Sequence, residues 1–335
     1  MKTEEFNYHL PKELIAQTPL PVRHASRLLV FERKTGTITH SRFSDIGDFL
    51  HVGDLLVINK TRVFPGRLIG SKESGGKAEV LLLKRINEIQ WEVLVGGKRI
   101  GKGKLVYFPE KIIGKIIEEL DGSNRIIEFN QPIDDVLDKI GEMPLPPYIH
   151  EHLNDPERYQ TVFAKQLGSA AAPTAGLHFT TEIINSLKER GIDFAEITLH
   201  VGLDTFAPVT EDVIEEHKIH SEWREVDADA ANRINQAKMS GKRVIAVGTT
   251  SVRTLESAAS ENFVKAISGS TNLFIYPGYR FKAVDCMITN FHLPQSTLLM
   301  LVSAFMGKEN ALRCYEEAID KQYRFYSFGD AMLIL

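Results

Sequence analysis

Hydrophobic and polar positions divide the chain into segments with different periods. Near the start, alternation over residues 27–33 and 37–43 around Lys34-Thr35-Gly36 predicts a β-hairpin, and the apolar run 54–59 predicts a buried strand. From about residue 62 to 130, short apolar runs alternate with glycine-rich turns and predict strands at 78–85, 91–95, 104–108, 114–120 and 125–129. This rhythm is typical of a small β-barrel.

After about Pro156 the pattern changes to alternating helices and strands. The predicted helices are residues 158–166, a helix capped by Thr180 or Thr181 that stops at Gly191, 229–239, a helix opened by 248–251, 296–306 and 309–323. The predicted strands are residues 193–200, 243–247 and 272–276, with a buried segment at 283–290. The pattern indicates α/β layers.

Composition limits the class of protein. A chain of 335 residues with 43% hydrophobic content can bury a sizeable core, normally in about two domains. The first ten residues lack an apolar stretch, and the run 298–306 is far below the roughly 20 residues that cross a membrane. Two cysteines, Cys286 and Cys314, form no disulfide framework or paired metal spacing. We therefore expect a cytoplasmic protein without a metal or a membrane partner.

Charge is unevenly distributed. The net charge is -4, yet residues 62–115 carry 12 Lys or Arg against 5 Glu, so this segment is +7 and the remainder is -11. The excess is densest in GGKRIGKGK at residues 96–104, where cations and a flexible backbone suit a phosphate chain. The alternative interpretation is a solvated hairpin without a partner.

Two loops contain the residue types of a polar ligand site. Residues 168–180, GSAAAPTAGLHFT, form a small-residue loop that runs into a helix start, so its backbone can approach a ligand closely. His178 lies at its end, and residues 199–208, LHVGLDTFAP, follow with His200 and Asp204. The two loops together predict one site.

The junction VIAVGTTSVRTLES at residues 244–257 is a second candidate, for an anion. Free amides and hydroxyls at a helix N-terminus bind carboxylate or phosphate, and Arg253 lies one turn further on. The junction is neither a Walker loop nor the GxGxxG dinucleotide signature. An ordinary capped helix remains the alternative.

Long strings over nearly the whole chain resemble one family. They are NYHLPKELIAQTPL (7–20), SRLLV (26–30), NKTRVFPGRL (59–68), PLPPYI (144–149), YQTVFA (159–164), the loop 168–180, LHVGLDTFAPV (199–209), HSEW (220–223), GTTSVRTLES (248–257), NFHLPQSTLLMLVSAFMG (290–307) and YRFYSFGDAMLIL (323–335). The chain resembles the S-adenosylmethionine:tRNA ribosyltransferase-isomerase family of queuosine biosynthesis.

The resemblance implies both a reaction and a fold. Members transfer and isomerise the ribosyl group of S-adenosylmethionine onto the aminomethyl-deazaguanine base (preQ1) at the tRNA wobble position, giving epoxyqueuosine-tRNA and releasing adenine and methionine. The implied fold is a discontinuous α/β domain with an inserted six-stranded antiparallel β-barrel. We expect the catalytic domain at residues 1–61 and 153–335, and the barrel, in contact with tRNA, at residues 62–152.

The reaction suggests roles for particular side chains. Opening the ribose is thought to begin with loss of a proton beside the sulfonium, and His178, His200 and Asp204 are candidate bases. Each has a structural alternative, as a cap, a brace or a turn ligand. His292 is a candidate donor to the departing adenine, and Glu256 or Asp285 would suit the donor's ammonium group.

The same matching of the reaction to the sequence suggests which residues bind the donor and the tRNA. Predicted donor-binding residues are Gly168, Ala170, Thr174, Gly176, Phe179, Phe206, Gly248, Thr249, Thr250, Ser251, Arg253, Glu256 and His292. Predicted tRNA-binding residues are Arg62, Arg67, Lys98, Arg99, Lys102 and Lys104.

The partner implied by the family is tRNA with a GUN anticodon, the acceptors for Asp, Asn, His and Tyr, and the protein is expected to be a monomer. Two other classes stay open: an S-adenosylmethionine-dependent RNA methyltransferase, and an RNA-binding protein without catalysis. The missing glycine-rich Rossmann signature argues against the first. The pocket-forming second domain argues against the second.

Overall fold

A computed structural model of the chain describes residues 1–120, 122–206, 208–261 and 263–335, without the side chains of Leu203 and Asp204. Two compact units divide these residues. One unit, the α/β unit, contains residues 1–62, 146–167 and 172–335, and the other, the barrel unit, contains residues 63–145 and 168–171. None of the helices in the described ranges combines the length and apolar composition of a membrane span.

Strands dominate both units. In chain order they are β1 (Arg27–Glu32), β2 (Thr37–Arg42), β3 (Leu55–Asn59), β4 (Thr61–Val63), β5 (Arg67–Lys72), β6 (Lys77–Arg85), β7 (Gln90–Gly96), β8 (Leu105–Tyr107), β9 (Ile113–Glu119), β10 (Asn124–Phe129), β11 (Gly141–Glu142), β12 (Gln166–Ser169), β13 (Asp193–Leu199), β14 (Glu222–Val226), β15 (Val244–Val247), β16 (Ile267–Thr271), β17 (Cys286–Asn290) and β18 (Ala331–Ile334).

The α-helices are α1 (Leu137–Ile140), α2 (Thr181–Glu189), α3 (Ala228–Met239), α4 (Thr249–Ala258), α5 (Thr297–Met306) and α6 (Lys308–Asp320). Side-chain caps begin three of them. Thr180, Asp227 and Ser296 each accept a hydrogen bond from a backbone amide in the first turn of α2, α3 and α5. Short 3-10 turns cover Phe43–Phe49, Pro156–Tyr159, Thr174–His178 and Leu203–Phe206.

A nine-stranded mixed sheet forms the centre of the α/β unit. Its order is β16-β14-β13-β3-β15-β17-β18-β1-β2. Strands β13, β3, β15 and β17 are parallel neighbours, whereas β18 runs antiparallel to β17 and parallel to β1. The N-terminal and C-terminal parts of the chain therefore complete the same sheet, as a discontinuous domain requires.

Both faces of this sheet are covered. Along β3, Leu55 and Val57 pack on the side of α3, α4, α5 and α6, while Leu56 and Ile58 pack on the side of α2. All five residues of β3 are buried. The first four are apolar, as a strand covered on both faces requires, and the side chain of Asn59 hydrogen-bonds to the backbone of Thr61 and Leu199. The unit is thus an α/β/α sandwich.

The barrel unit is closed by pairing its first and last strands. Strands β5, β6, β7, β10, β9 and β8 are antiparallel neighbours in that order, and β5 also pairs with β8. Closure leaves no edge among these six strands, and their inward apolar side chains form a separate core that includes Leu68, Val80, Trp91 and Ile116. The predicted α/β fold with an inserted six-stranded antiparallel barrel is confirmed.

Most strongly periodic segments match their predictions, and two do not. Residues 158–166 form no helix: a 3-10 turn ends at Tyr159, and the amides of Lys165 and Gln166 both donate to the Lys60 carbonyl. Residues 272–276 form no strand, since β16 ends at Thr271 and its ladder with β14 ends there. Apolar side chains that pack on the core, such as Phe163 in the first segment and Ile275 in the second, mimicked a regular period.

Candidate functional site

One cleft of about 600 Å³ opens in the α/β unit. It lies at the carboxyl ends of the parallel strands β15 and β17, where ligands bind in open α/β sheets. Its walls come from residues Tyr148, Ala172, Pro173, Thr174, Ala175, Val201, Thr205, Phe206, Gly248, Thr249, Thr250, Thr289, Asn290, Phe291, His292, Leu293, Ser296, Leu298, Tyr326 and Ser327. We call it the main cleft.

The start of α4 forms one wall of the main cleft. Gly248 has φ +89°, a conformation that favours glycine, and it turns the chain from β15 into the helix. Thr249 and Thr250 also line the cleft, and the buried hydroxyl of Thr250 has no hydrogen-bond partner within the described residues. Free amides, a positive helix end and an unpartnered hydroxyl suit an anionic group. Ser251 faces away, because its hydroxyl donates to the Val247 carbonyl at 2.8 Å.

His292 is the histidine among the lining residues. Its Nε2 lies 2.8 Å from the Thr289 hydroxyl, and its backbone amide donates to the Tyr315 hydroxyl at 3.0 Å. Burial lowers the pKa of the imidazole to about 3, so His292 is neutral at pH 7. A neutral imidazole can donate one hydrogen bond and accept another.

A proline-rich strip supplies an aromatic wall. The Tyr148 hydroxyl lies 2.7 Å from the Ser327 hydroxyl, and its ring meets Phe206 edge to face at 5.8 Å between centroids. Tyr326 packs on the same ring at 4.7 Å between centroids. The segment PLPPYI therefore orders a side of the cleft, and flat rings there can cover a base or a cation.

His178 lies outside the main cleft. Its Nδ1 lies 2.8 Å from the Ser26 hydroxyl, and its Nε2 lies 3.2 Å from the Asn290 side-chain amide. Burial, with the nearby charges of Arg23 and Arg324, lowers its pKa to about 3. Asn290 lines the main cleft, so His178 contacts a wall residue of that cleft through the Asn290 amide.

His200 and Asp204 complete the three candidate bases. Nδ1 of His200 lies 2.8 Å from the Thr61 hydroxyl, and the ring stacks on Trp223 at 5.1 Å between centroids. Burial lowers the pKa of His200 below its usual range. The Asp204 side chain lies outside the described residues.

Several predicted donor contacts lie elsewhere in the fold. Phe179 is fully buried in the sheet core, and Gly176 packs tightly against Thr161 and Phe163. Gly168 and Ala170 group with the barrel unit. By contrast, Thr174, Phe206, Gly248, Thr249, Thr250 and His292 all line the main cleft.

The two carboxylates suggested for the donor's ammonium group bind backbone amides instead. Glu256 accepts hydrogen bonds from the amides of Lys282, Ala283 and Val284 and from the Tyr279 hydroxyl. The Asp285 carboxylate accepts from the Val244 amide at 2.8 Å. Both acids hold loops in place.

Arg253 is paired within the protein. It forms a buried ion pair with Glu222, and its Nε donates to the Leu273 carbonyl at 3.2 Å. Glu222 also accepts from the Gly202 amide at 3.0 Å and the Thr205 hydroxyl at 3.3 Å. Burial raises the pKa of Glu222, but Arg253 and His220 outweigh that effect and hold it below its usual range. This network supports Thr205 in the wall of the cleft, and Nη2 of Arg253 has no partner among the described groups.

The predicted tRNA-binding cations fall into two sets. Arg62 and Arg67 form ion pairs, with Glu157 and with Glu79 and Glu142 respectively. Lys98, Arg99, Lys102 and Lys104 are exposed in the barrel unit, and none of the four pairs with a described carboxylate. These four cations are free to meet phosphates.

Sequence reasoning missed a band of small polar groups. Thr205, Thr289, Asn290, Ser296 and Ser327 line the main cleft from separate parts of the chain. The string NFHLP contained Asn290 beside His292 and was the available signal. Serine and threonine carry no such signal, because they are common at caps and turns.

Comparisons with known proteins agree on one family. The family model described as "Queuosine biosynthesis protein" matches residues 3–334. Two curated relatives named S-adenosylmethionine:tRNA ribosyltransferase-isomerase, from Carboxydothermus hydrogenoformans and Clostridioides difficile, are 56% and 55% identical over 100% of both chains. The crystal structure of S-adenosylmethionine tRNA ribosyltransferase from Thermotoga maritima is 39% identical and matches with a TM-score of 0.58, covering 99% of this chain and 100% of that chain.

Proposed function

The chain belongs to the queuosine biosynthesis protein family, and we propose that it catalyses the reaction for which its relatives are named, as an S-adenosylmethionine:tRNA ribosyltransferase-isomerase. Full-length identity above 50% to proteins of that name is the observation that carries the proposal. The acceptor is tRNA and the donor substrate is S-adenosylmethionine.

In finer detail, the ribosyl group passes to an aminomethyl-deazaguanine base at the wobble position of tRNAs with a GUN anticodon. Epoxyqueuosine-tRNA forms, and adenine and methionine leave. The base must be unstacked to react, because its target atom is shielded inside the anticodon stack. A tRNA substrate also implies a cytoplasmic location.

The main cleft is the proposed donor site. It is concave, and aromatic side chains and a few polar groups line it, as in small-molecule and cofactor sites. The carboxylate of the donor's methionine end would accept hydrogen bonds at the start of α4, where Thr249 and Thr250 line the cleft and the Thr250 hydroxyl is unpartnered among the described residues. The rings of Tyr148, Phe206 and Tyr326 would cover the adenine or the sulfonium.

His292 is the proposed partner of the departing adenine. With a pKa near 3 it holds no extra proton at pH 7, so it assists by donating a hydrogen bond to a ring nitrogen rather than by handing over a proton. The base that removes the proton beside the sulfonium is proposed among His178, His200 and Asp204. The first two are neutral at pH 7, as a proton acceptor must be.

A mass-spectrometric assay tests the proposal. Purified protein is mixed with S-adenosylmethionine and tRNA carrying the aminomethyl-deazaguanine base, and adenine, methionine and the modified nucleoside are followed together. Epoxyqueuosine with both by-products in equal amounts is the expected result. Methylated RNA instead would identify a methyltransferase. Binding without any product would identify an RNA-binding protein.

A further inference from the structure

A second, smaller cleft of about 300 Å³ lies next to the main cleft in the α/β unit. Its walls include Arg23, Arg158, Ser26, His178 and Ser327, and Ser327 also lines the main cleft. We call it the arginine cleft. None of the functions described above uses its two arginines.

The guanidinium groups at this cleft bind only backbone carbonyls. Arg23 donates to the Glu157 carbonyl at 2.9 Å and the Leu177 carbonyl at 3.3 Å. Arg158 donates to the Leu20 carbonyl at 2.5 Å and the Pro21 carbonyl at 3.2 Å.

A third guanidinium, that of Arg324, donates to the Thr18 carbonyl. The acidic side chain next to Arg158 in sequence is already used, since the Glu157 carboxylate pairs with Arg62. Among the residues that the structure describes, no carboxylate comes within ion-pair distance of any of these three arginines.

Unused donors remain on two of the three. Nε of Arg158 and Nη1 of Arg324 are buried and have no partner in the described part of the chain. Burial lowers the pKa of Arg23 and of Arg324, and the charge of Arg158 lowers that of Arg23 further. Arg23 and Arg324 also both act on His178, so their charges converge on this cleft.

The carboxylates of Asp155 and Glu157 act on Arg23 from beyond ion-pair distance, and that of Asp330 acts in the same way on Arg324. A half-buried cation without a direct ion pair is still costly, because it loses hydration and gains no close partner. An anion in the cleft would remove that cost. A planar guanidinium with free N–H groups is matched to phosphate or carboxylate oxygens.

The lining favours phosphate over the amino-acid end of the donor. A free amino acid brings an ammonium group, which needs a carboxylate or carbonyl partner, and no described acidic side chain lines this cleft. A phosphodiester brings negative charge alone. Arg23 and Arg158 are only partly buried, so a polynucleotide can reach them from solvent.

We propose that Arg23 and Arg158, with the charge of Arg324 nearby, bind one backbone phosphate of the substrate tRNA next to the main cleft, so that the unstacked base enters at a set distance from the donor. The inference rests on the proposed function, and it assigns to the α/β unit a tRNA contact that charge counting had placed only in the barrel.

The test is tRNA binding as a function of salt, with full-length Arg23→Gln and Arg158→Gln variants made separately and combined. The probe is tRNA with a GUN anticodon carrying the aminomethyl-deazaguanine base. Each single variant should bind roughly tenfold more weakly at low salt. In the double variant Arg23→Gln/Arg158→Gln the slope of log affinity against log salt should fall by about 0.7–0.9, the value for one phosphate. Affinity for S-adenosylmethionine alone, measured by calorimetry, should stay within about twofold.

Arg23→Lys and Arg158→Lys keep the charge and should keep the salt slope while losing part of the affinity. Arg280→Gln, which removes an exposed arginine of the same unit, is the matched control and should change neither quantity. Thermal unfolding identifies a variant that has lost its fold. In that case the variant at the other arginine tests the proposal.

An unchanged tRNA slope in the folded double Gln variant, or unchanged tRNA affinity in both folded single variants, would overturn the proposal. Loss of affinity for S-adenosylmethionine with unchanged tRNA binding would also overturn it, and would assign the cleft to the donor's carboxylate. Product formation by the wild-type protein is measured separately, so failure of the proposed reaction and failure of the arginine cleft give different results.

Discussion

Arg253 and Glu222 form an ion pair in which both side chains are almost completely buried, with 7% and 2% of their surfaces exposed. The pair joins α4 to β14, and Glu222 reaches from it to Thr205 in the wall of the main cleft. The arginine that the sequence suggested as an anion ligand is therefore also a structural link.

Arg253→Met should destabilise the protein by about 3–5 kcal/mol, because it leaves the Glu222 carboxylate buried without its main partner. Urea unfolding checks this. The control is Arg190→Met, which breaks an exposed pair with Asp48 and should cost under about 1 kcal/mol. If Arg253→Met keeps its stability but loses affinity for S-adenosylmethionine, Arg253 is a donor ligand through its free Nη2.

The buried histidines predict a pH dependence of stability. The folded-state pKa of His178 and of His292 is about 3, below the unfolded value near 6.5, so the unfolded chain binds more protons between these limits. The free energy of unfolding should therefore fall as pH drops below about 6.5, by about 1.4 kcal/mol per pH unit for each histidine.

Urea unfolding of His178→Gln at pH 5 and pH 7 isolates the effect of one histidine. The free energy of unfolding should depend less steeply on pH, because one fewer proton is bound on unfolding. His152→Gln removes an exposed histidine and should leave the dependence unchanged. Equal slopes for the wild type and His178→Gln would contradict a neutral, buried His178.

Gly248→Ala should weaken binding of S-adenosylmethionine by roughly tenfold, since a φ of +89° is strained for alanine and the start of α4 must shift. Calorimetry with the donor measures this. Gly241→Ala is the control: its φ of +66° also favours glycine, and no described atom lies within 4 Å of an added Cβ. Equal affinity for S-adenosylmethionine in the two variants would show that the start of α4 does not bind this substrate.

His292→Ala should slow adenine release by about 10²-fold or more, because the departing ring loses its hydrogen-bond donor. Single-turnover release of adenine from the tRNA-bound enzyme checks this, and donor affinity should change far less. His292→Gln should restore part of the rate, since an amide can still donate. An unaffected release rate in His292→Ala would contradict the proposed role of His292, and His178 and His200 would then be tested for it.

Replacing Lys98, Arg99, Lys102 and Lys104 together by Ala should weaken tRNA binding and flatten its salt dependence, because the barrel would lose exposed cations. Binding across a salt series measures both effects. A variant that exchanges Lys for Arg and Arg for Lys at the same positions keeps the charge and should keep the slope. An unchanged slope in the quadruple Ala variant would rule out this surface as a tRNA contact.

The fold was largely predictable because it depends on periods that a sequence displays. The buried strands Val244–Val247 and Cys286–Asn290 and the helices Ala228–Met239 and Thr297–Met306 follow from apolar runs and caps that act over a few residues. The barrel follows from short strands and glycine turns in the same way. Residues 158–166 show the limit, since tertiary packing overrode an apparent helical spacing.

The sequence by itself determined the family, the layers and the helix start at Gly248, because these depend on local patterns and long matching strings. Only the tertiary structure decided which polar side chains meet. Glu256 binds three backbone amides, Phe179 enters the core, and Arg23 and Arg158 lie at one cleft although 135 positions separate them. The direction and partner of a side chain depend on distant segments, so no local pattern contains them.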